Sequence, residues 1–317
     1  MGLGVTRAGV GARVRRLGAL IAALLVVACE AAAPSAPVAS PPAVASEAAA
    51  KPIFAWRAQV GASMLHLLGS VHVARPDLYP LDARIEESFA ASDVLVLELA
   101  LDESAQVAAA RRMMELGQLE PGKRLSDVVS PEIWQLLVDT QARHGQSMFG
   151  LRGFRPWFVS LTLTTQALER EGFSAEHGID EHFRRAAAGH KRIEALETVD
   201  GQLALFASLS SQAEEQLLRQ TLEELDAYGG ELDAAFRLWS NGDASGIDRL
   251  LVTSMQSEYP DLFQRLFIDR NKAMTEQLLE LAKVPGRYFV VVGAGHLVGN
   301  QGILALLAAR GFASQQL

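Results

Sequence analysis

An α/β (α+β) fold, a central mixed β-sheet flanked by helices and carrying a helical insertion, is what the sequence predicts. Three observations lead to it. Two apolar strand candidates are each followed by the pattern G-x-x-H: Met64–Leu68 runs into Gly69-Ser70-Val71-His72, and Tyr288–Val292 into Gly293-Ala294-Gly295-His296, the two histidines standing 224 residues apart. A third strand candidate, Asp93–Leu99 (DVLVLEL), is apolar apart from Glu98. Most of the chain between these strands carries helical spacing. Strand, turn, histidine and helix repeated at both ends predict two similar halves built around one sheet.

Taken in order, the chain opens with Arg7, Arg13, Arg15 and Arg16, then twelve apolar or small residues from Leu17 to Ala28, too few for a bilayer span of about 20 residues. This pattern predicts an export signal over residues 1–28. Cys29, the only cysteine, directly follows Val26-Val27-Ala28, which resembles a lipobox, so it is the expected lipidation site. Residues 29–52 are rich in Ala, Pro and Ser and read as an extended tether, and residues 53–317 as one globular domain. Within that domain Phe54–Gln59 and Met64–Leu68 read as a hairpin, and Leu81–Ala91 as an amphipathic helix. Further helices are expected over Ser104–Leu116, Pro131–Arg143 behind the N-cap Ser130, Arg155–Glu171 and Ile179–Ala188. Lys191–Leu196 reads as a short strand, and Ser211 with Glu214 as a capping box for a helix through Leu225. Helices over Leu232–Trp239, Asp243–Met255 and Pro260–Ala282 precede the last strand candidate, and Ile303–Ala309 follows it.

Composition excludes some functions. Loss of residues 1–28 removes four arginines and no acid, taking the net charge from −8 to −12. Such a chain, without a Lys/Arg stripe, lacks the counterion-release term that dominates nucleic-acid binding, and no nucleic-acid partner is expected. A lone, lipidated cysteine leaves neither a disulfide framework nor a thiol nucleophile. Gly117-QLEP-Gly122-Lys123 has P-loop spacing, but Arg124 stands where Ser or Thr should hold Mg²⁺. Val298 occupies the place of the third glycine in a dinucleotide fingerprint, and there is no G-x-S-x-G elbow.

The candidate chemistry lies with His72, His296 and Glu98. Singly, a histidine at a strand end reads as a hydrogen-bonded structural residue. Two of them after matching strands, with a carboxylate in a third, form a ligand set suited to Zn, Mn or Fe with positions left for water. A carboxylate inside an apolar strand needs a cation, a metal or several donors. Arg270, on the helix before the last strand, is either a surface ion-pair former or, if turned to the sheet edge, a stabiliser of an oxyanion or a substrate carboxylate. His177, Glu181 and His182 surround Gly178-Ile179-Asp180, but two histidines five apart point in different directions on a helix and read as structural. Ser70, beside His72, is a possible supporting polar group.

These residues resemble the TraB/GumN family, which includes the TIKI proteins and shares a superfamily with the erythromycin esterases and the haem-binding ChaN proteins. The resemblance rests on LLGSVH (Leu67–His72), DVLVLEL (Asp93–Leu99), RPW (Arg155–Trp157), GIDEHF (Gly178–Phe183), ALETVDGQ (Ala195–Gln202), Arg270-Asn271 and the stretch from Val291 to Phe312. It implies an EreA/ChaN-like sheet of two similar halves. By the same resemblance His72 and His296 are the paired histidines, Glu98 the strand carboxylate and Arg270 the accompanying arginine. The leading expectation is a membrane-tethered hydrolase, a divalent-metal-dependent peptidase with Mn, Co or Zn held by His72, Glu98 and His296, acting on a peptide or small molecule. One alternative is an esterase-like hydrolase without metal, using His72 as general base oriented by Glu98. The other is a binding protein for haem or a signal peptide. The tether yields a direct test: Cys29→Ser should move the protein from the membrane to the soluble fraction, and unchanged fractionation would refute lipidation.

Overall fold

The computed structural model describes residues 51–317. The expected export signal, Cys29 and almost all of the tether therefore lie outside the described residues. Six strands form one mixed sheet: β1 (Ala55–Val60), β2 (Ser63–Ser70), β3 (Val94–Leu97), β4 (Arg192–Ala195), β5 (Arg287–Gly293) and β6 (Ser314–Gln316), in the spatial order β4-β3-β5-β2-β1-β6. The strands β4, β3, β5 and β2 run parallel, while β1 lies antiparallel between β2 and β6. Central position explains composition. β3 and β5 have neighbours on both sides and helices on both faces, so Val94–Leu97 and Tyr288–Gly293 are buried without interruption. β1 alternates buried and exposed residues along its outer half, and the edge strand β4 is short and partly exposed.

The two strands that precede the histidines are sheet neighbours, with Ser70 in register with Gly293, while Leu97 of β3 is in register with Val291 and with Ala195 of β4. All four parallel strands thus end at one edge, the edge at which open α/β sheets bind ligands.

Helices α1 (Ala83–Ala90), α2 (Glu103–Gly117), α3 (Pro131–Arg143), α4 (Pro156–Arg170), α5 (Ile179–Ala187), α6 (Val199–Ala207), α7 (Ser211–Glu224) and α8 (Tyr228–Ser240) come next, all close to expected spans except α6, for which no span was expected. α3 starts as expected, with Ser130 Oγ accepting from Ile133 N and Pro131 in the first turn, where its missing N–H has no consequence. The cap of α7 differs from the expectation: Ser210, not Ser211, accepts from Ala213 N, and Glu214 ion-pairs with Arg155 instead of closing a capping box. That pairing anchors Arg155 beside Trp157, which is fully buried and stacks on Phe206. A second core cluster, including Ile133, Leu137, Leu163, Phe173 and Leu218, holds the helical insertion together.

Past α8 the expected long helices are broken. Ala244–Ile247 (α9) and Ser254–Glu258 (α10) flank a π-helical turn at Asp248–Thr253, and Pro260–Phe263 (α11) and Arg270–Leu281 (α12) flank another at Gln264–Asp269. Hydrophobic periodicity does not register one extra residue in a turn. Both π turns pack near the last histidine, a frequent place for such turns. Ala294–Leu297 (α13) and Ile303–Ala309 (α14) complete the helices. β6 was not expected. It is three residues long and polar, and it pairs with β1 through Trp56, Arg57 and Ala58.

Gly178, which caps α5, abuts the carbonyl of His72: a Cβ there would lie 2.2 Å from His72 O. Ile179 N donates to Val71 O, so α5 is docked on the loop that carries His72. Gly178→Ala must push that loop away, and the expected loss of stability is about 1–3 kcal/mol, as for an overpacked core, measured by urea unfolding.

Candidate functional site

Each of the four parallel strands places one polar side chain just past its C-terminal end. His72 follows β2, Glu98 follows β3, Glu197 follows β4, and His296 sits in α13 after β5. His72, Glu98 and His296 are 4%, 1% and 1% exposed, and Arg270, from the first turn of α12, is 6% exposed.

Glu98 is the hub. Its Oε1 accepts from Gly293 N at 2.6 Å, and its Oε2 accepts from Arg270 Nη2 at 2.7 Å. The same Oε1 lies 3.8 Å from His72 Nε2 and 3.8 Å from His296 Nε2. Gly293 makes this approach possible: an added Cβ would come 3.0 Å from His72 Nε2, 3.3 Å from Glu98 Oε1 and 3.4 Å from His296 Cδ2. Neither Gly293 nor Gly295 has a positive φ, so the expected glycine turn has another cause, namely space. Gly295 makes room for Phe267, whose ring lies 5.0 Å from that of His296.

Arg270 is committed to carboxylates. Its Nε donates to Glu197 Oε1 at 2.8 Å, its Nη2 to Glu197 Oε2 at 2.6 Å and to Glu98, and its Nη1 to Leu266 O at 3.3 Å. Gln202 Nε2 donates to Glu197 Oε2, holding the far side of the pair. This disposes of the surface ion pair and leaves little of the guanidinium for an oxyanion: the geometry makes Arg270 the clamp that orients Glu98. Burial disfavours its charge, and Glu98 and Glu197 more than offset that, raising its pKa.

Both imidazoles are held from behind. His72 Nδ1 donates to Asp180 Oδ2 at 2.8 Å, and Ser70 Oγ donates to the same oxygen. Burial works against a protonated His72, but Asp180, joined by Glu98, outweighs it and raises the pKa from the usual 6.5 to about 9. Asp180 is lowered: burial opposes its charge, and the coulombic and hydrogen-bond contacts with His72 prevail. His296 Nδ1 lies 2.6 Å from Asn271 Oδ1, and Asn271 Nδ2 donates to Gln301 O at 2.8 Å. The second bond fixes which end of the amide faces the ring, so His296 Nδ1 must carry the hydrogen. Burial first, and Arg270 next, push the His296 pKa well below 6.5. What is left over is informative: the Nε2 atoms of both His72 and His296 are buried without a hydrogen-bond partner.

The structure brings together the four expected site residues His72, Glu98, Arg270 and His296. It adds Asp180, Glu197 and Asn271, which had no role assigned although each lies in a quoted motif. Ser70, expected as a supporting polar group, donates to Asp180 behind His72. The flanking candidates face elsewhere, Glu181 pairing with Arg184 and Arg185 and His182 with Glu86. Lys123, from the P-loop look-alike, pairs with Glu120 at the surface.

Two histidines and a clamped glutamate form a buried polar centre at the carboxyl edge of a mostly parallel sheet. The chain belongs to the TraB/PrgY/gumN family, whose profile matches residues 54–316. It is 28% identical over 245 residues to the uncharacterized protein YbaP of Escherichia coli K12, covering 76% of this chain and 87% of that one. The YbaP protein of Shigella flexneri matches to the same extent. No solved structure matches the chain significantly.

Removing the clamp leaves the buried Glu98 and the partly buried Glu197 without the cation they share. Arg270→Ala should destabilise the protein by about 3–5 kcal/mol, the usual penalty for breaking a buried pair. The double variant Arg270→Ala/Glu98→Gln should recover part of that loss, with denaturant unfolding of all four members of the cycle as the measurement.

Proposed function

We propose that the protein is a hydrolase with a divalent-cation site formed by His72, His296 and Glu98. The observation that carries this reading is the pair of partnerless Nε2 atoms, buried and equidistant from one carboxylate oxygen. With both Nδ1 atoms engaged from behind, both Nε2 atoms face the space that Gly293 leaves open: His296 offers a lone pair there, and His72, whose pKa is raised to about 9, would offer one on losing its Nε2 proton as a cation binds. Charge supports the same conclusion, since Glu98 and Glu197 face the guanidinium of Arg270 while Asp180 faces His72, and three carboxylates against one guanidinium and one imidazolium leave a negative surplus. Among the described residues no three His, Cys, Asp or Glu side chains stand, as placed, in an arrangement that could hold a metal ion. Donors about 2.1 Å from a tetrahedral ion stand about 3.4 Å apart, so the observed separations of 3.8 Å would have to contract slightly.

An ion of the Mn, Co or Zn class would supply Lewis acidity for cleavage of an acyl bond, the chemistry of a metallopeptidase. The chain's part is to hold the two imidazoles in one tautomer, to present Glu98 by a single oxygen, and to exclude bulk water. Arg270 keeps Glu98 aimed. The membrane-tethered form of this proposal depends on Cys29; among the described residues no helix is long and apolar enough to cross a membrane. A second reading, hydrolysis without metal, is favoured by one observation: Asp180 and His72 form a carboxylate-imidazole pair of the kind that orients a general base. No observation favours haem.

Calorimetric titration of Mn²⁺, Co²⁺ and Zn²⁺ into the purified full-length protein tests the proposal. Stoichiometric binding, lost in His72→Ala and in His296→Ala, is the expected result. Gly293→Ala fills the space without removing a ligand and should weaken binding at least tenfold while the fold persists. Absence of binding, with cleavage of a peptide library unaffected by chelation, would favour the metal-free reading.

A further inference from the structure

The two histidines follow matching strands, yet what stands behind them differs in charge. Behind His72 is a carboxylate. Asp180 is in the first turn of α5, is 8% exposed, and its Oδ2 accepts from both His72 Nδ1 and Ser70 Oγ. Its position is determined by backbone, because Gly178 presses on His72 O and Ile179 N bonds Val71 O. Behind His296 is a neutral amide. Asn271, in the first turn of α12, gives Oδ1 to His296 and Nδ2 to Gln301 O, so it can orient the ring but brings no charge.

Resting on the cation-site reading above, we propose that Asp180 is a positioning residue that makes His72 the stronger donor of the pair, with Asn271 holding His296 as the weaker one. A carboxylate accepting from the far nitrogen of an imidazole raises the electron density at the near nitrogen, and loss of such a partner typically lowers metal affinity by about 10–100-fold. An amide acceptor fixes the tautomer without that polarisation. Ser70 belongs to the same device, since its hydroxyl leaves Asp180 Oδ2 in one place between the two donors. Like-for-like removal of the backing group should therefore affect the two histidines unequally.

The test uses the full-length protein titrated with Mn²⁺, Co²⁺ and Zn²⁺ by calorimetry, alongside nitrogen-edited NMR of the Nδ1–H protons in the metal-free protein. Asp180→Asn is expected to lower affinity at least tenfold. It should also move the His72 Nδ1–H resonance upfield while leaving that of His296 in place, a change that general loosening would not produce. Asn271→Ser should lower affinity by less. Wild-type protein that binds none of the three ions overturns the cation-site reading itself. Wild-type protein that binds, with Asp180→Asn binding within threefold of it, overturns only the role of Asp180. Should Asp180→Asn fail to fold, Ser70→Ala decides, because it keeps the carboxylate and removes its anchor: a severalfold loss of affinity supports the proposal, and unchanged affinity with an unchanged His72 resonance refutes it.

Discussion

A guanidinium buried between two carboxylates is the interaction on which the rest of the site depends. Arg270 reaches from the start of α12 to the ends of β3 and β4, binding Glu98 and Glu197 together. Without it, Glu98 would have one backbone N–H to offset its charge in a nearly dry environment, and the cost would run to several kcal/mol. With it, Glu98 Oε2 is tied down and Oε1 is left facing both histidines. The clamp also links helix, strands and loops that are far apart in sequence, so stability of the fold and geometry of the centre rest on the same few bonds.

The low polarity around these groups magnifies each of them. Polar contacts shielded from water are stronger, and an unmet polar atom is correspondingly more expensive. That makes the two partnerless Nε2 atoms significant. Natural proteins retain few such atoms, and each calls for an explanation, such as strain, a catalytic role, or a bound water or ion. The hydroxyl, carboxylate and amide behind the rings are ordinary supports. It is the forward-facing nitrogens that set the centre apart from a structural histidine pair.

Much of this was legible from residue order because strand ends are local events. LLGSVH and VVGAGH each show an apolar run, a glycine and a histidine, and alternation of burial does not blur them, since β2 from Leu67 onward and β5 from Tyr288 onward are buried at every position. Glu98 stood out as the single charge in an apolar stretch. Asp180 and Glu197 did not, being two among 37 acidic residues, one at a helix start and one after a short, partly exposed strand. Only the sheet order, which sets β4 beside β3, brings Glu197 to Arg270. The inward turn of Arg270 was equally invisible, because the π turn before it breaks the 3.6-residue period by which a helix face is read. Ser210 rather than Ser211 as cap, and β6 as a strand, were missed for a simpler reason: one residue of offset and three polar residues leave almost no periodic signal.

Strand order also has a bearing on how the chain acquires its shape. β5, formed by residues 287–293, lies between β3 and β2, which are formed some two hundred residues earlier. The middle of the sheet is therefore absent until almost the whole domain is available, and β2 and β3 cannot pair with each other in the meantime. Contacts of such long sequence separation must be closed against chain entropy before they return any stability, which slows folding. Helices of the insertion, whose contacts span shorter stretches of chain, can form first and wait. Since β5 also delivers Gly293 and His296, the polar centre comes into being in the same step that completes the sheet, and no partly folded form of the domain can possess it.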